Sequence, residues 1–172
     1  MTEQLSTTGL EQKYNAFKLS DGSSIGCIIY DTNGTDRYKL LNETLYKKAD
    51  GFLLVYDVTN RRSFEKINDY YFPKIKELCK KNIYILLLGN KNDMGEKRKV
   101  TIEEGNEFAL NNNCNFKEVS CFENVTVFDA FQNIIENSFY EKKRNWNNDN
   151  ESLILNRNNH RNINMKNRIG CC

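Results

Sequence analysis

The sequence predicts an α/β domain built on a mostly parallel sheet with one antiparallel edge strand. Three observations carry this. Two apolar runs of strand length, within Gly51–Val58 and Ile83–Gly89, are continuous rather than alternating, as in strands covered on both faces. Stretches with helical spacing separate them, which is the alternating order of a parallel sheet with crossover helices. Two β-leaning segments at the front, Tyr14–Leu19 and Ser24–Asp31, are joined through Asp21-Gly22, a dipeptide that favours a tight hairpin turn.

The remaining elements follow in order. Ser63–Lys81 carries Phe64, Ile67, Ile75 and Leu78 at helical spacing, and Pro73, the single proline, predicts a kink or restart there. Thr101 stands as a cap before Glu103, Glu104 and the apolar Phe108-Ala109-Leu110. Asn115–Ser120 reads as a short strand. Val127, Phe128, Phe131, Ile134 and Ile135 then repeat with a helical period to about Tyr140. From Glu141 the composition changes to Asn and Arg with few apolar residues. Residues 141–172 hold seven basic and three acidic side chains and read as a disordered basic tail after a domain of residues 1–140.

Composition narrows the function classes. The chain has 172 residues, 39% of them hydrophobic, enough for one real core. With 25 Lys and Arg against 23 Asp and Glu, it lacks the basic footprint of a nucleic-acid binder, and no nucleic-acid partner is expected. Apolar runs such as Phe52–Tyr56 are far shorter than a bilayer requires, and Met1-Thr-Glu-Gln-Leu5 has no signal-like pattern. A soluble intracellular protein is the expectation. The six cysteines show no C-x-x-C spacing and the single histidine, His160, lies in the tail, so no zinc site is expected. Asn is abundant, at 26 residues, and carries no functional inference.

Ligands of open α/β sheets bind outside the carboxyl ends of the strands. Those ends here are Asp31-Thr-Asn-Gly34, Gly89-Asn-Lys-Asn-Asp93 and Ser120-Cys121, and they converge on one rim. Their sequences, with two others, form an ordered set. Asp31-Thr-Asn-Gly-Thr-Asp-Arg-Tyr38 resembles D-T-A-G-Q-E-R-[FY], Val55–Phe64 resembles V-Y-D-V-T-x-x-x-S-F, and Gly89–Asp93 matches G-N-K-x-D. Glu118-Val-Ser-Cys121 resembles E-x-S-A, and Thr7-Thr-Gly9 resembles a T-x-G switch motif. The set resembles the small GTPases of the Ras superfamily, most similar to the Rab branch, from about residue 7 to 139.

The resemblance implies a guanine-nucleotide site. Asp93 would take the two adjacent donors of guanine with its two carboxylate oxygens, a pairing that adenine does not offer. Asn90 would brace the loop, the stem of Lys91 would cover the base, and the Ser120-Cys121 backbone would meet the guanine carbonyl. Gly34 would sense the γ-phosphate, Asp31 would hold Mg²⁺ through water, and Thr7 would ligate it directly. Asp57 would be structural. GTP or GDP with Mg²⁺ are thus the implied ligands. Exchange factors, GTPase-activating proteins, prenyl-Rab carrier proteins and effectors are the implied partners. The implied role is a vesicle-traffic switch on the cytoplasmic face of endomembranes, cycling with cytosol.

Two departures qualify it. Phosphate binding in this fold uses G-x-x-x-x-G-K-[ST], and none of the nine glycines is followed by lysine. The first strand, the phosphate loop and the first helix of the family pattern are therefore missing. The expectation is an N-terminally truncated form, with nucleotide affinity reduced by about seven orders of magnitude for about 10 kcal/mol of lost charge-assisted hydrogen bonds. In the family pattern the missing strand lies mid-sheet, so two unpaired apolar edges are expected. The second departure is Thr35, which stands where the family has the glutamine that orients water, so hydrolysis should be slow. Asn33 for Ala and Phe122 for the usual Lys are smaller changes. The alternative is a noncatalytic, lipid-anchored pseudo-GTPase that serves as an interaction module.

Gly170-Cys171-Cys172 resembles the Rab double-cysteine signal for geranylgeranylation. Two prenyl chains beside a basic tail would supply the two signals that stable anchoring takes.

Overall fold

The computed structural model describes residues 11–32, 39–79, 82–154 and 167–171. Its centre is a six-stranded sheet. The strands are β1 (Glu11–Lys18), β2 (Ser24–Asp31), β3 (Gly51–Asp57), β4 (Tyr84–Asn90), β5 (Asn115–Val119) and β6 (Asn167–Cys171), in the order β1-β2-β6-β3-β4-β5. β1 and β2 are antiparallel, and every other neighbouring pair is parallel. The hairpin forms where Asp21-Gly22 predicts it. Gly22 adopts φ +83°, a region costly for residues with a Cβ, and the Asp21 carboxylate accepts the Ser23 N–H at 2.9 Å.

The continuous apolar runs are explained by two cores, one on each sheet face. Along β3 and β4, Leu53, Leu86 and Leu88 face one core, whereas Phe52, Leu54, Tyr56, Ile85 and Leu87 face the other. The first core is closed by α5 (Asn124–Ile154) through Ala130, Ile134 and Ile135. The second is closed by α1 (Lys39–Tyr46), α2 (Arg61–Lys66), α3 (Phe72–Leu78) and α4 (Ile102–Asn112), which contribute Tyr46, Phe64, Phe72, Ile75 and Phe108. A strand that packs helices on both faces has no solvent side to carry polar residues.

Local signals explain the helix ends. Thr101 and Glu104 form a full capping box: the Glu104 N–H donates to the threonine hydroxyl at 3.2 Å and the Thr101 N–H to the glutamate at 2.9 Å. At the other end of α4, Asn113 closes the helix in the left-handed region. Between α2 and α3 lies a π turn, Ile67–Tyr71, in which the Phe72 N–H donates to the Ile67 carbonyl. Pro73 follows directly, and its ring would clash with a regular i−4 carbonyl, so the chain widens there. The helix α1 has no counterpart in the sequence reading.

Two expectations are corrected. The segment from Glu141, read as a disordered tail, continues α5 to Ile154 and supplies β6. In α5 this happens because Lys142 reaches the Asp50 carboxylate at 2.8 Å and Asn145 donates to the Asn82 carbonyl at 2.8 Å, so polar residues dock the helix as apolar ones do earlier. Nor are the facing edges of β2 and β3 left unpaired. β6 lies between them, parallel to both, with Ile169 fully buried. The position between β2 and β3 in the sheet is thus filled by β6.

Candidate functional site

The carboxyl ends of β2, β6, β3, β4 and β5 share one rim because these strands are mutually parallel. The rim carries Asp31, Asp57, Asn90 and, just past β5, Ser120. Thr7, Gly34 and Thr35 lie outside the described residues, as does Cys172. Asp31 is exposed at the end of β2. The structure therefore brings together Asn90, Lys91, Asp93, Ser120 and Cys121.

Gly89 opens this loop because no side chain fits there. A Cβ would lie 2.9 Å from the Tyr56 hydroxyl and 3.1 Å from Glu118 Cγ. Asn90 ties the two rim loops together: its side-chain oxygen accepts from the Lys91 N–H at 2.8 Å and from the Cys121 thiol at 3.4 Å. The chain then turns sharply, with Lys91 at φ +65°, into a 3₁₀ turn over Asn92–Lys97. That reversal leaves the Asp93 carboxylate exposed on the rim.

Lys91 is fixed at its far end. Its Nζ lies 2.7 Å from Asp57 Oδ2, while Asp57 Oδ1 accepts from the Thr59 N–H at 2.8 Å and the Thr59 hydroxyl at 2.7 Å. Burial pushes the Asp57 carboxyl up, but the hydrogen bonds from Lys91 and Thr59 outweigh it and hold it below the usual range. Asp57 is thus more than a strand-end residue, since it sets where the lysine stem runs. Its position far from Lys91 in sequence gives no spacing signal. Strand register supplies it, because Asp57 sits opposite Asn90.

On the β5 side, Ser120 is fully buried. Its hydroxyl accepts the Phe122 N–H at 3.2 Å and its carbonyl accepts the Glu123 N–H at 2.9 Å. These bonds shape the Ser120-Cys121 backbone into a turn against Asn90. Behind it, Arg98 grips Glu118 through two nitrogens, at 2.6 and 2.8 Å, and donates to the Val100 carbonyl at 3.1 Å. This pair clamps the exit of the Asn92–Lys97 turn to β5. Sequence reasoning placed Glu118 within a motif and gave Arg98 no part.

The rim thus carries an exposed carboxylate at Asp93, a lysine stem at Lys91 pinned to Asp57 and a fixed backbone turn at Cys121. Metal binding is less complete: among the described residues no cluster of three or more His, Cys, Asp or Glu could hold an ion. Asp31 alone fits an ion held mainly by water and phosphate oxygens, as Mg²⁺ usually is. Among the described residues no helix is long and apolar enough to cross a membrane.

Comparison with known proteins points to one family. The model of the Ras family matches residues 1–140. Among curated proteins, the Ras-related protein Rab-8B of Bos taurus is 33% identical over 151 residues, covering 88% of this chain and 72% of that protein. Rab-8A of Pongo abelii is 36% identical over 127 residues, covering 74% of this chain and 60% of the relative. Rab-1 of Theileria parva is 36% identical over 130 residues, covering 76% and 59%. The chain thus spans less than two thirds of the latter two. The interaction-module alternative finds no support among these relatives.

Proposed function

The chain belongs to the Ras family of small GTPases, and from that premise we propose that it is a Rab-like guanine-nucleotide switch in vesicle traffic. One observation carries the reading: Asn90 joins the Lys91–Asp93 loop to the Ser120-Cys121 turn, so that both sides of a base site are fixed to each other. Asp93 takes the two guanine donors, the Lys91 stem lies along the base under the hold of Asp57, and the Cys121 N–H faces the guanine carbonyl. Exclusion of adenine follows, because adenine offers the Asp93 carboxylate no pair of adjacent donors.

The phosphates are a different matter. No glycine-lysine loop occurs in the sequence, and the described residues do not replace it. The residues do not fit a triphosphate cradle, so no hydrolytic step is assigned. Thr35, at the glutamine position, has a hydroxyl too short to orient water as a carboxamide does. Mg²⁺, where bound, would be held by Asp31 and Thr7 and would neutralise phosphate charge.

Membrane attachment belongs to the same proposal. Each terminal thiol, Cys171 and Cys172, would lose its proton and displace diphosphate from an allylic prenyl diphosphate, which forms a thioether. Prenyl-Rab carriers, exchange factors, GTPase-activating proteins and effectors would be the partners, on the cytoplasmic face of endomembranes.

Saturation-transfer NMR of the full chain with millimolar GDP or ADP tests the base site. Signal transfer to the guanine protons, absent for adenine and lost in Asp93→Ala, is expected. Equal transfer to both bases, or none to either, overturns the reading.

A further inference from the structure

Two cavities lie at the amino end of the sheet, away from the carboxyl-end rim. The first, of about 650 Å³, has half-buried walls from Ala49, Leu78, Cys79 and Ile83 and a further wall from Trp146, which is 47% exposed. The second, of about 450 Å³, shares Cys79, Asn82, Ile83 and Asn145 with it and adds the cations Lys76 and Arg144. The Asn145 amide donates to the Asn82 carbonyl at 2.8 Å, so this bond belongs to the wall that the two have in common.

Both spaces follow from how α5 docks there. Earlier in the helix, Ile134 and Ile135 fill the contact with the sheet, whereas farther along Lys142 reaches Asp50 and Asn145 reaches Asn82. Lys142, Asn145 and Trp146 stand at i, i+3 and i+4, on one helix face. Two polar bridges hold that face to the strand ends without packing the volume between them, in contrast to a close-packed interior.

The lining has a definite chemistry. The first cavity lies within the usual size range of small-molecule sites and is mainly apolar. It would hold roughly twenty waters at ~30 Å³ each, and water against apolar walls is favourably displaced by apolar matter. The Cys79 thiol donates to the Tyr46 carbonyl at 3.4 Å, and burial pushes its pKa up to about 11, so it is an uncharged wall at neutral pH. Charge favours an anion. Lys142 is neutralised by Asp50 at 2.8 Å and Arg144 by Glu141 at 2.7 Å, whereas Lys47 and Lys76 form no ion pair among the described residues.

We propose that the cavity at the amino end of the sheet binds an anionic amphiphile, whose apolar body lies against Leu78, Ile83 and Trp146 and whose acidic group meets Lys47. β3 and β4 each run seven residues, about 20 Å at ~3.3 Å per residue, from this end to the rim. The site therefore rests on no nucleotide reading.

Trp146 is the single tryptophan of the chain and gives the cavity its own fluorescent reporter. The full chain is titrated with 1-anilinonaphthalene-8-sulfonate, with dodecanoate as competitor. One equivalent should bind with a dissociation constant below about 100 μM, quenching Trp146 by energy transfer, and dodecanoate should reverse both signals. Lys47→Glu, at an exposed position, should weaken binding about fivefold. Ala49→Phe, which fills the cavity, should weaken it by about tenfold or more. Phe122→Ser, at the exposed turn ahead of α5, should leave it unchanged. Circular dichroism checks the fold of each variant, and Lys47→Glu decides where Ala49→Phe does not fold. Absence of saturable binding, or probe emission without a Trp146 response, overturns the proposal. So does weakening in Phe122→Ser with full affinity in Lys47→Glu, which places the probe on the apolar start of α5. Phosphatidylserine vesicles separate the sources of the ligand. A blue shift of Trp146 on the vesicles that Ala49→Phe abolishes assigns a lipid, and inert vesicles with displacement by dodecanoate assign a soluble acid.

Discussion

Replacing Gly51 by alanine probes the seam where β3 meets α5 and β6. A Cβ at Gly51 would fall 2.1 Å from the Ser138 hydroxyl oxygen, 3.0 Å from Ser138 Cβ and 3.2 Å from Ile169 Cδ1. Rotation about χ1 can carry the hydroxyl away, but it leaves the Cβ–Cβ contact a few tenths of an ångström too short. Helix and strand must then separate, so Gly51→Ala should cost about 2 kcal/mol, within the usual range for overpacking. Ser138 offers an internal check. It is fully buried, and its hydroxyl has no hydrogen-bond partner among the described residues. Ser138→Ala alone should therefore be neutral or stabilising by up to about 1 kcal/mol, because a stranded polar group is removed. In the double variant the hydroxyl contact is gone and the Cβ contact stays, so about 1 kcal/mol of the Gly51→Ala loss should return. Urea unfolding followed by far-ultraviolet circular dichroism measures all four corners of the cycle. A Gly51→Ala cost below about 0.5 kcal/mol, or strict additivity of the two changes, would refute the close approach of β3 and α5.

Arg98→Ala should destabilise by about 3 kcal/mol, because it strands the largely buried Glu118 carboxylate, and Arg98→Lys should recover little, since it lacks the two-pronged grip; an urea midpoint unchanged in Arg98→Ala would exclude the clamp. The Arg61 guanidinium, with the Thr101 N–H, lowers the Glu104 pKa from 4.5 to about 2. Its stabilising contribution is thus complete above about pH 4.5 and fades as pH falls towards 2. The stability difference between the natural chain and Glu104→Gln should shrink across that window, and a constant difference would contradict the pairing. Burial, with the nearby negative charge of Asp50, pushes the Cys27 thiol up to about 12, whereas Cys121 is exposed. At pH 8 an alkylating reagent should reach Cys121 at least 100-fold faster than Cys27, by peptide mass spectrometry; comparable rates would show that the first core is open.

Much of the frame is legible in the residues themselves. The hairpin at Asp21-Gly22, the interruption at Pro73 and the capping box from Thr101 to Glu104 are local chemistry, and each appears where its residues stand. The rim loop is equally legible, because Gly89 to Asp93 is a contiguous motif at the end of a buried apolar strand. The reading failed where stabilising contacts come from distant residues. Lys142 and Asn145 extend α5 through groups on Asp50 and Asn82, and a polar composition gives no warning of that. Asp57 and Arg98 likewise acquire their roles from Lys91 and Glu118 across the sheet.

The sequence by itself determined a doubly covered parallel sheet, because continuous apolar strands separated by helical stretches leave no solvent face, and it determined which residues stand at the carboxyl-end rim. The tertiary structure alone decided which segment lies at the centre of that sheet. Asn167–Cys171 contains one large apolar residue and no alternation, so nothing local marks it as a strand. It becomes one because β2 and β3 present unpaired backbone groups on either side and a pocket between α5 and Leu53 for Ile169. Backbone pairing is indifferent to side-chain identity, and so a central strand could hide in a polar tail.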